Sequence, residues 1–310
     1  MKIFMNKAGE NWILDRIHKE WYEHNPSIAT TDIDGCDVVW LMAAWMWRTI
    51  PANVLSAKKV VCTIHHIAPD KFSEAKMNDF IFRDQFVDAY HVPNKYTAAF
   101  IGNFTNKPVH VINYWLNPSL WSAATHTHGG AKEALGVSNK FVIGSFQRDT
   151  EGGDLKSPKL EKGPDLFCDY VERVVALGGR EVLVLLGGWR RQYVIERLEK
   201  AKIQYKYIEM APHDKVAQMY TACDLYVVSS RHEGGPQAVL EAASMRVPIV
   251  SSRVGVVEEV LCEECIIDIK RDVYFPSTRD VEQNHKNVQQ YSIETHKQNY
   301  LDMFQEVMEN

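Results

Sequence analysis

Short apolar runs alternate with longer amphipathic segments along the first third of the chain. The segment after the first run carries Trp12, Ile13, Ile17 and Trp21 at helical spacing. Strands that alternate with helices in this way predict an α/β unit with a parallel sheet. The runs with the length and composition of buried strands are residues 2–5, 37–42, 59–64, 89–92 and 109–112.

The same alternation resumes after residue 136, with a helix starting near Ser277 and a fresh start near Ser292. Between the two series, residues 121–136 hold two adjacent glycines and small residues, which predicts an interdomain linker with a short helix. We therefore predict two Rossmann-like α/β domains that face each other across a cleft, at 1–125 and 126–290, followed by a C-terminal helix at 291–310. The second series of predicted strands is 140–146, 181–186, 205–210, 225–228 and 266–269.

Composition excludes several classes of protein. The chain has 310 residues, a net charge of −5 and a pI near 6.2, whereas a nucleic-acid-binding protein would present a basic face. It has no apolar run of 18 residues and no signal-peptide pattern, so we expect a cytoplasmic protein without integral membrane contact.

Cysteine and histidine spacing predicts no metal centre. Of six cysteines, only Cys262 and Cys265 form a C-x-x-C pair, and the second pair of a convincing zinc site is missing. We expect these two to be unreactive reduced thiols. The His-x-His at residues 126–128 lacks further ligands as well.

The most informative stretch follows the apolar run at 225–228. Gly234 and Gly235 allow the backbone to approach a ligand, and a helix predicted to begin at Pro236 directs free N–H groups and its positive dipole end toward an anion. Glu233 and Glu241 flank this helix start. A carboxylate only accepts hydrogen bonds, which suits the vicinal hydroxyls of a ribose or a hexose.

This stretch resembles the family-4 glycosyltransferases, which are retaining, metal-independent enzymes of the GT-B fold that use nucleotide-sugar donors. The resemblance rests on Ser-Arg-x-Glu-Gly-Gly-Pro, on Glu233 and Glu241 eight residues apart, and on the segments 247–250 and 254–260 that follow. It implies that Glu233 contacts hydroxyls of the donor sugar and Glu241 contacts the ribose. It also implies a C-terminal helix that crosses back onto the first domain, although packing on the second domain would give the same pattern.

The resemblance extends to a pair of cations early in the second domain. Family members hold the donor pyrophosphate with an arginine after the first strand and a Lys-Gly at the next helix start, which correspond to Arg148 and Lys162 here. Charge-assisted hydrogen bonds of this kind contribute about 1.5–3 kcal/mol each. Arg148 departs from the pattern because it stands four residues after Gly144, and the longer loop leaves the roles of Lys156 and Lys159 open; a solvated basic loop is the alternative.

The remaining donor-side residues lie at two other strand ends. Gly187 opens a glycine turn after the strand at 181–186, and the resemblance places the nucleobase against the backbone near Glu209 and Met210. The turn is not Gly-x-Gly-x-x-Gly, and no acidic residue follows at the distance that reads a ribose in dinucleotide-binding proteins. A dinucleotide-dependent oxidoreductase is therefore disfavoured.

Candidates in the first domain are fewer. A strand running into Thr-x-His resembles the family element whose histidine contacts the reacting sugar, and His65 matches it, with His66 next in sequence. Gly9 lies in the loop after the first strand, and the resemblance places it in a family loop that borders the cleft on the acceptor side; an ordinary turn residue is the alternative. Trp45 and Trp47 could stack on an acceptor sugar but are more typical of a core.

With these residues, the resemblance implies a retaining hexosyltransferase that moves a sugar from a nucleoside-diphosphate sugar to an unidentified glycan, lipid-linked or small-molecule acceptor. The resemblance implies no cofactor and no metal, and we assign no covalent nucleophile. Two alternatives stay open. One is another GT-B enzyme such as a sugar-nucleotide epimerase, and the other is a non-catalytic nucleotide-sugar-binding protein.

Overall fold

The computed structural model describes residues 1–10 and 13–309, so Trp12 lies outside the described residues. The chain divides into two compact units. The first unit comprises Met1–Trp115 and the segment from Ile293 onward, and the second comprises Leu116–Ser292. Each contains a five-stranded parallel sheet, which confirms the predicted α/β fold class.

The strands and helices alternate through both units. The strands are β1 (Ile3–Met5), β2 (Val38–Leu41), β3 (Lys59–Thr63), β4 (Ala89–Val92), β5 (Val109–Val111), β6 (Phe141–Ser145), β7 (Val182–Gly188), β8 (Gln204–Glu209), β9 (Leu225–Val228) and β10 (Ile249–Ser251). The helices are α1 (Ile13–His24), α2 (Ala52–Ala57), α3 (Glu74–Asp84), α4 (Lys95–Ile101), α5 (His128–Ala134), α6 (Pro164–Ala176), α7 (Gln192–Lys200), α8 (His213–Thr221), α9 (Gln237–Ser244), α10 (Val257–Val260), α11 (Thr278–Val288) and α12 (Ile293–Glu309). No helix of the described residues is long and apolar enough to cross a membrane.

The first sheet has the sequential order β1-β2-β3-β4-β5. Ile3 also exchanges backbone hydrogen bonds with residues 28–30 on its other side, at 2.8 and 3.0 Å, so that this short segment extends the sheet beyond β1. After β1 the chain first adds residues 28–30 on one side of β1 and then returns to the other side as β2. The strand order therefore reverses between β1 and β2, at their carboxyl ends. Ligands of open α/β sheets bind at such a point.

The helices α2, α3 and α4 pack on one face of the first sheet, as expected when successive right-handed crossovers advance in the same direction. The opposite face is covered by α1 and by α12. Without α12, the apolar side chains that β2 and β3 direct to this face would lie in water. The C-terminal helix is therefore a structural part of the first unit.

Aromatic rings form the contact between α12 and the sheet. The ring of Trp40 on β2 lies 5.1 Å from that of Phe304 and 5.4 Å from that of Tyr300, and Trp115 lies 5.2 Å from Tyr300. Trp21 on α1 completes the cluster, and each of these side chains is fully buried. Such rings bury large apolar areas, so this cluster dominates the core of the first unit.

A line of polar groups crosses this same sheet. Trp40 Nε1 donates to Thr63 Oγ1 at 2.8 Å, Thr63 Oγ1 lies 2.9 Å from His91 Nδ1, and His91 Nε2 lies 2.8 Å from the carbonyl oxygen of Ile112. A carbonyl can only accept, so Nε2 carries the proton and Nδ1 accepts from Thr63. Burial favours this neutral imidazole and lowers the pKa of His91 to about 3.

The second sheet has the order β10-β9-β6-β7-β8. The chain proceeds from β6 to β7 and β8 on one side, then returns to the other side of β6 with β9 and β10. Helices α6 and α7 cover one face and α8 and α9 the other. The reversal places the loops after β6 and β9 next to each other, at the position where doubly wound sheets bind ligands.

Two predictions of local structure are wrong. Residues 266–269 do not form a strand, because Ile266 makes a single bridge to Ser251 and the Asp268 carboxylate then accepts from the backbone N–H of Lys270, which turns the chain. The helix expected at Pro236 begins at Gln237. The ψ of Pro236, 99°, is not helical. The units divide after Trp115 and Ser292, compared with 125 and 290 in the sequence-based domain boundaries.

We expect Phe304→Ala to destabilise the first unit by about 3–5 kcal/mol, because it leaves a cavity among buried rings. Urea unfolding followed by tryptophan fluorescence measures this change, since most tryptophans belong to this unit. Met308→Ala, on the same helix but 38% exposed, is the matched control. A loss for Phe304→Ala no larger than that of the control would contradict the assignment of α12 to the core.

His91 predicts a loss of stability in acid. Its pKa is about 3 in the folded state and about 6.5 in an unfolded chain, so between these values the unfolded state binds more protons and stability falls as the pH falls. From pH 7.5 to pH 5 we expect this residue to remove about 2 kcal/mol of unfolding free energy. His91→Gln should be less stable at pH 7.5 but lose correspondingly less on acidification. Equal losses for both proteins would show that His91 does not titrate in this way.

Candidate functional site

Two loops are joined at the carboxyl ends of β6 and β9. The carbonyl oxygen of Glu161 accepts hydrogen bonds from the backbone N–H groups of Arg231 and His232, at 2.8 and 3.1 Å. Ser229 Oγ donates to the carbonyl oxygen of Gly163 at 2.8 Å. These bonds fix residues 160–165, which lead into α6, against residues 229–233, which follow β9.

Gly163 is the closest point of this junction. Its φ is +60°, and a Cβ at this position would lie 1.9 Å from the carbonyl oxygen of Ser229. Only glycine fits. Arg231 adds a bidentate ion pair to Asp165, with N–O distances of 2.7 and 2.6 Å, so the start of α6 and the loop after β9 are held by both backbone and charge.

The junction brings together two of the predicted site residues, Lys162 and Glu233. Lys162 Nζ lies 2.6 Å from Glu233 Oε2, and the two side chains are 20% and 9% exposed. Ser230 Oγ donates to the other oxygen, Glu233 Oε1, at 2.8 Å. A lysine and a carboxylate thus lie side by side at the carboxyl ends of the two strands, and both side chains are partly exposed.

Arg148 lies in the loop after β6. Its Nε donates to the carbonyl oxygen of Thr150 at 2.8 Å, and its guanidinium lies 5.4 Å from the ring centre of the exposed Trp189. Arg148 therefore lies beside the turn after β7.

The lysine-rich loop turns back on itself. Thr150 pairs with Pro158 in an antiparallel bridge, and the backbone N–H of Lys159 donates to the carbonyl oxygen of Asp149 at 2.8 Å. Lys159 consequently lies next in space to the Arg148 segment and three residues before Lys162. Lys156, in contrast, is exposed.

Lys159 belongs to a cluster of positive charges with Lys162 and Arg148. Its side chain is 21% exposed and lies 3.6 Å from Glu161. Burial lowers the pKa of Lys159, and the positive charges of Lys162 and Arg148 lower it further against the opposing effect of Glu161. The cluster therefore contains three cations, and the sequence identified only two of them.

The glycine turn before α9 is in contact with the segment that follows β10. Gly234 is buried, and a Cβ on Gly255 would lie 2.4 Å from the carbonyl oxygen of Gly234. The φ of Gly255 is +56°. The segment after β10 therefore supports the turn Gly234–Gly235–Pro236 and with it the first N–H groups of α9, beginning at Gln237.

Glu241 and the residues predicted near the nucleobase occupy different environments. Glu241 is 6% exposed and accepts from the hydroxyl of Tyr220 at 2.9 Å. Gly187 is buried, whereas Glu209 and Met210 are exposed at the end of β8. Met210 has a φ of +45°, and its N–H donates to the carbonyl oxygen of Gly188 at 3.3 Å.

Sequence reasoning did not identify Arg191, which connects the ends of β6 and β7. This side chain is 1% exposed, and its Nε donates to Asp149 Oδ2 at 2.8 Å. Its other nitrogens donate to the carbonyl oxygen of Gly187 at 2.8 Å and to Ser145 Oγ at 3.1 Å. Burial raises the pKa of Asp149, and Arg191 opposes that rise. An arginine after a strand is too common for the sequence to mark it.

In the first unit, both ring nitrogens of His65 are engaged. Nε2 lies 2.8 Å from the carbonyl oxygen of Met42 and so carries the proton, while Nδ1 accepts from the hydroxyl of Tyr114. Burial lowers the pKa of His65 to about 4, so the ring is neutral at physiological pH. The ring of Trp45, 51% exposed, lies 5.9 Å away, whereas Trp47 is 4% exposed and belongs to the core.

Gly9 lies in the loop after β1 with a φ of +71°, and its N–H donates to Asp15 Oδ1 at 2.9 Å. The same loop contains Asn6, which is buried and exchanges two hydrogen bonds with Ala43 after β2, at 3.0 and 2.9 Å. Asn6 thereby fixes the two loops at the switch point of the first sheet. A single asparagine gave no signal for this role in the sequence.

Among residues 1–10 and 13–309, one group of side chains is close enough to hold a metal ion: Cys262, Glu264 and Asp280, with ligand atoms within 4.8 Å of one another. Asp280 Oδ2, however, accepts from the N–H and hydroxyl of Ser277 at 2.8 Å each and so caps α11. Burial raises the pKa of the Cys262 thiol, which keeps it protonated. We assign no metal to this group.

Comparison with known proteins gives a family match for this part of the chain. Residues 156–298 match the family model described as glycosyl transferases group 1, and this segment includes Lys162, Glu233 and Glu241. The matched segment lies almost entirely in the second unit, and the fold is that of the GT-B glycosyltransferases. The predicted resemblance and the predicted enzyme class, glycosyltransferase, are confirmed.

The individual relatives differ in how much of this chain they cover. A lipopolysaccharide core biosynthesis mannosyltransferase of Rhizobium meliloti is 29% identical over 139 residues, which are 42% of this chain and 37% of that protein. The crystal structure of Anabaena HepE in complex with UDP and glucose covers 99% of this chain and 100% of its own, with a TM-score of 0.76 and 14% identity. Sucrose-phosphate synthase from Thermosynechococcus elongatus covers 94% and 77%, with a TM-score of 0.67 and 12% identity.

The junction at Gly163 generates a stability prediction. Alanine at a φ near +60° costs about 1–2 kcal/mol at any site, and we expect this loss for Gly178→Ala, where φ is +70° and nothing lies within 4 Å of a new Cβ. Gly163→Ala should cost clearly more, because the Ser229 carbonyl must also move. Thermal unfolding of both variants measures the difference, and equal losses would mean that the two loops are not tightly joined.

Proposed function

We propose that this protein is a retaining hexosyltransferase that transfers a sugar from a nucleoside-diphosphate sugar to a glycan, lipid-linked or small-molecule acceptor, without a metal ion. The observation that carries the proposal is the Lys162–Glu233 pair, 2.6 Å apart at the switch point of the second sheet, inside the group 1 segment. A cation beside a carboxylate suits a donor whose phosphate and sugar hydroxyls lie next to each other.

The leaving group determines the role of the cations. When the glycosidic bond to the donor breaks, negative charge develops on the departing nucleoside diphosphate. Preorganised positive groups stabilise such charge more than they stabilise the ground state. In this proposal Lys162 and Arg148 supply these positive groups. Lys159 adds a third positive charge, whose role the sequence left unassigned.

The remaining contacts follow from chemistry and position. Glu233 accepts hydrogen bonds from donor sugar hydroxyls, and the N–H groups at Gly234 and Gly235 and at the start of α9 bind the phosphates or the sugar. Glu241 accepts from the ribose. The base lies against the backbone near Glu209 and Met210, with Gly187 providing close approach beside them.

His65 has a narrower role than a proton carrier. With a pKa of about 4 its imidazole is neutral near pH 7, so we propose that it hydrogen-bonds the donor sugar rather than protonating it. Its two present partners, Met42 and Tyr114, mean that binding a hydroxyl requires one of these bonds to exchange. The retaining outcome itself is proposed on the family resemblance.

Relatives suggest which donors to test. One of the structures with the same fold contains UDP and glucose, and a relative found by sequence is a mannosyltransferase. Neither determines the base or sugar of this chain. UDP, GDP and ADP should therefore be compared, each with and without EDTA.

Nucleotide binding and the Lys162→Ala variant test the proposal. One nucleoside diphosphate, at 100 times its dissociation constant, should raise the unfolding free energy by about 2.7 kcal/mol, and EDTA should not change this. Lys162→Ala should weaken that binding at least tenfold and remove most transfer or donor hydrolysis, because about 1.5–3 kcal/mol of charge-assisted bonding is lost. Lys156→Ala, exposed in the same loop, is the control.

Each result contradicts a different part of the proposal. The donor site is wrong if no nucleotide stabilises the protein. Binding that requires a divalent ion would exclude the metal-independent form. Tight binding without any turnover would favour a binding protein, and release of an epimerised free sugar would favour an epimerase. Unchanged kinetics for Lys162→Ala would remove this lysine from the site.

A further inference from the structure

A buried tyrosine holds one of the proposed donor-binding carboxylates. Glu241 on α9 is 6% exposed, and its Oε2 accepts a hydrogen bond of 2.9 Å from the hydroxyl of Tyr220 on α8. Tyr220 is itself 1% exposed. The bond joins two helices that pack on the same face of the second sheet.

Tyr220 is fixed by two other aromatic residues. Its ring centre lies 4.8 Å from that of Phe146 and 5.1 Å from that of Tyr226, and Phe146 and Tyr226 lie 5.2 Å apart. The backbone N–H of Phe146 donates to the hydroxyl of Tyr226 at 3.1 Å. Phe146 immediately follows β6, so this aromatic group anchors Tyr220 to the end of the strand that leads into Arg148.

The hydroxyl of Tyr220 stays protonated and can therefore always donate its hydrogen bond to Glu241. Burial, with the neighbouring Glu241 charge, raises the pKa of Tyr220 well above its ordinary value, so the hydroxyl keeps its proton. A carboxylate offers about four acceptor positions on its two oxygens, and this bond occupies one of them. The tyrosine therefore orients Glu241 through one of these acceptor positions.

We propose that Tyr220 is a positioning residue that sets the selectivity of this site for ribonucleotides over 2′-deoxyribonucleotides, by fixing the carboxylate of Glu241 against the ribose hydroxyls. The inference rests on the proposed function, because it takes Glu241 as the ribose-binding group. A site built to hydrogen-bond a hydroxyl rejects an analogue that lacks it, but only if the acceptor is held in place. Tyr220 holds it.

The test compares dissociation constants of UDP, GDP and ADP with those of their 2′-deoxy forms by calorimetry. For the nucleotide that binds, the wild-type protein should prefer the ribose form by about tenfold to a hundredfold, the value of a hydrogen bond to a charged group. In Tyr220→Phe this preference should fall to about threefold or less, with binding of the deoxy form nearly unchanged. The variant keeps the ring, and its melting temperature checks that it folds.

Two further variants complete the design. Glu241→Gln should reduce the ribose preference as Tyr220→Phe does. Tyr170→Phe is the matched control, because Tyr170 is a buried tyrosine of the same unit whose hydroxyl donates to the carbonyl oxygen of Tyr274, at 3.2 Å. This control should keep the wild-type preference, since it loses a buried hydroxyl that does not contact Glu241.

The outcomes separate the inference from the function on which it rests. A preserved preference in Tyr220→Phe, with loss in Glu241→Gln, overturns the role of Tyr220 and leaves the donor site intact. A preserved preference in Glu241→Gln shows that Glu241 does not read the ribose and overturns the inference as well. Absence of nucleotide binding by the wild-type protein overturns the proposed function, and the inference with it.

Discussion

The close approach of Gly163 to the carbonyl oxygen of Ser229 is the contact on which the candidate site depends. A Cβ would lie 1.9 Å from that oxygen, so the two loops can meet only at a glycine. Their meeting places Lys162 beside Glu233, although the two residues are 71 positions apart in sequence. The hydrogen bonds of Glu161 to residues 231 and 232 and the Arg231–Asp165 ion pair then hold the arrangement. A backbone contact without side chains thus sets the geometry of a charged pair.

The first unit is subject to a different constraint. Its strands are adjacent in sequence order, and both faces of the sheet must be covered. Right-handed crossovers leave α2, α3 and α4 on one face. The other face receives Trp40 and its neighbours, and α12 covers them from the far end of the chain. The polar line from Trp40 through Thr63 to His91 lies in the same sheet and is satisfied at each step. Packing therefore requires this unit to be assembled from two distant segments, whereas the polar line is satisfied within residues 40–112.

The sequence predicted the parts of the site that depend on short motifs. Glycines, a proline and two glutamates in a fixed order identified the loop after β9, and Lys-Gly identified its partner. It could not identify Tyr220, Arg191 or Asn6, because their roles arise from contacts between segments that are distant in the chain. Their residue types are also common after strands and on helices. The role of Lys159 remained open for the same reason, since it is the pairing of Thr150 with Pro158 that brings this lysine beside Arg148.

The fold was predictable where apolar runs were long enough to specify a strand. It was less predictable where one polar side chain redirects the backbone, as Asp268 does after the single bridge of Ile266. The pairing of residues 28–30 with Ile3 gave no sequence signal, because such a short segment has no periodicity to detect.

The position of α12 has a consequence for the order of assembly. The second unit is continuous in sequence, whereas the first contains residues from both ends of the described chain. During synthesis from the N-terminus, the second unit can therefore close its core while Trp40 and Trp21 still lack their partners Tyr300 and Phe304. The segment that completes the first unit is therefore made after the whole of the second unit. Until α12 has been synthesised, the sheet of the first unit leaves this aromatic surface uncovered.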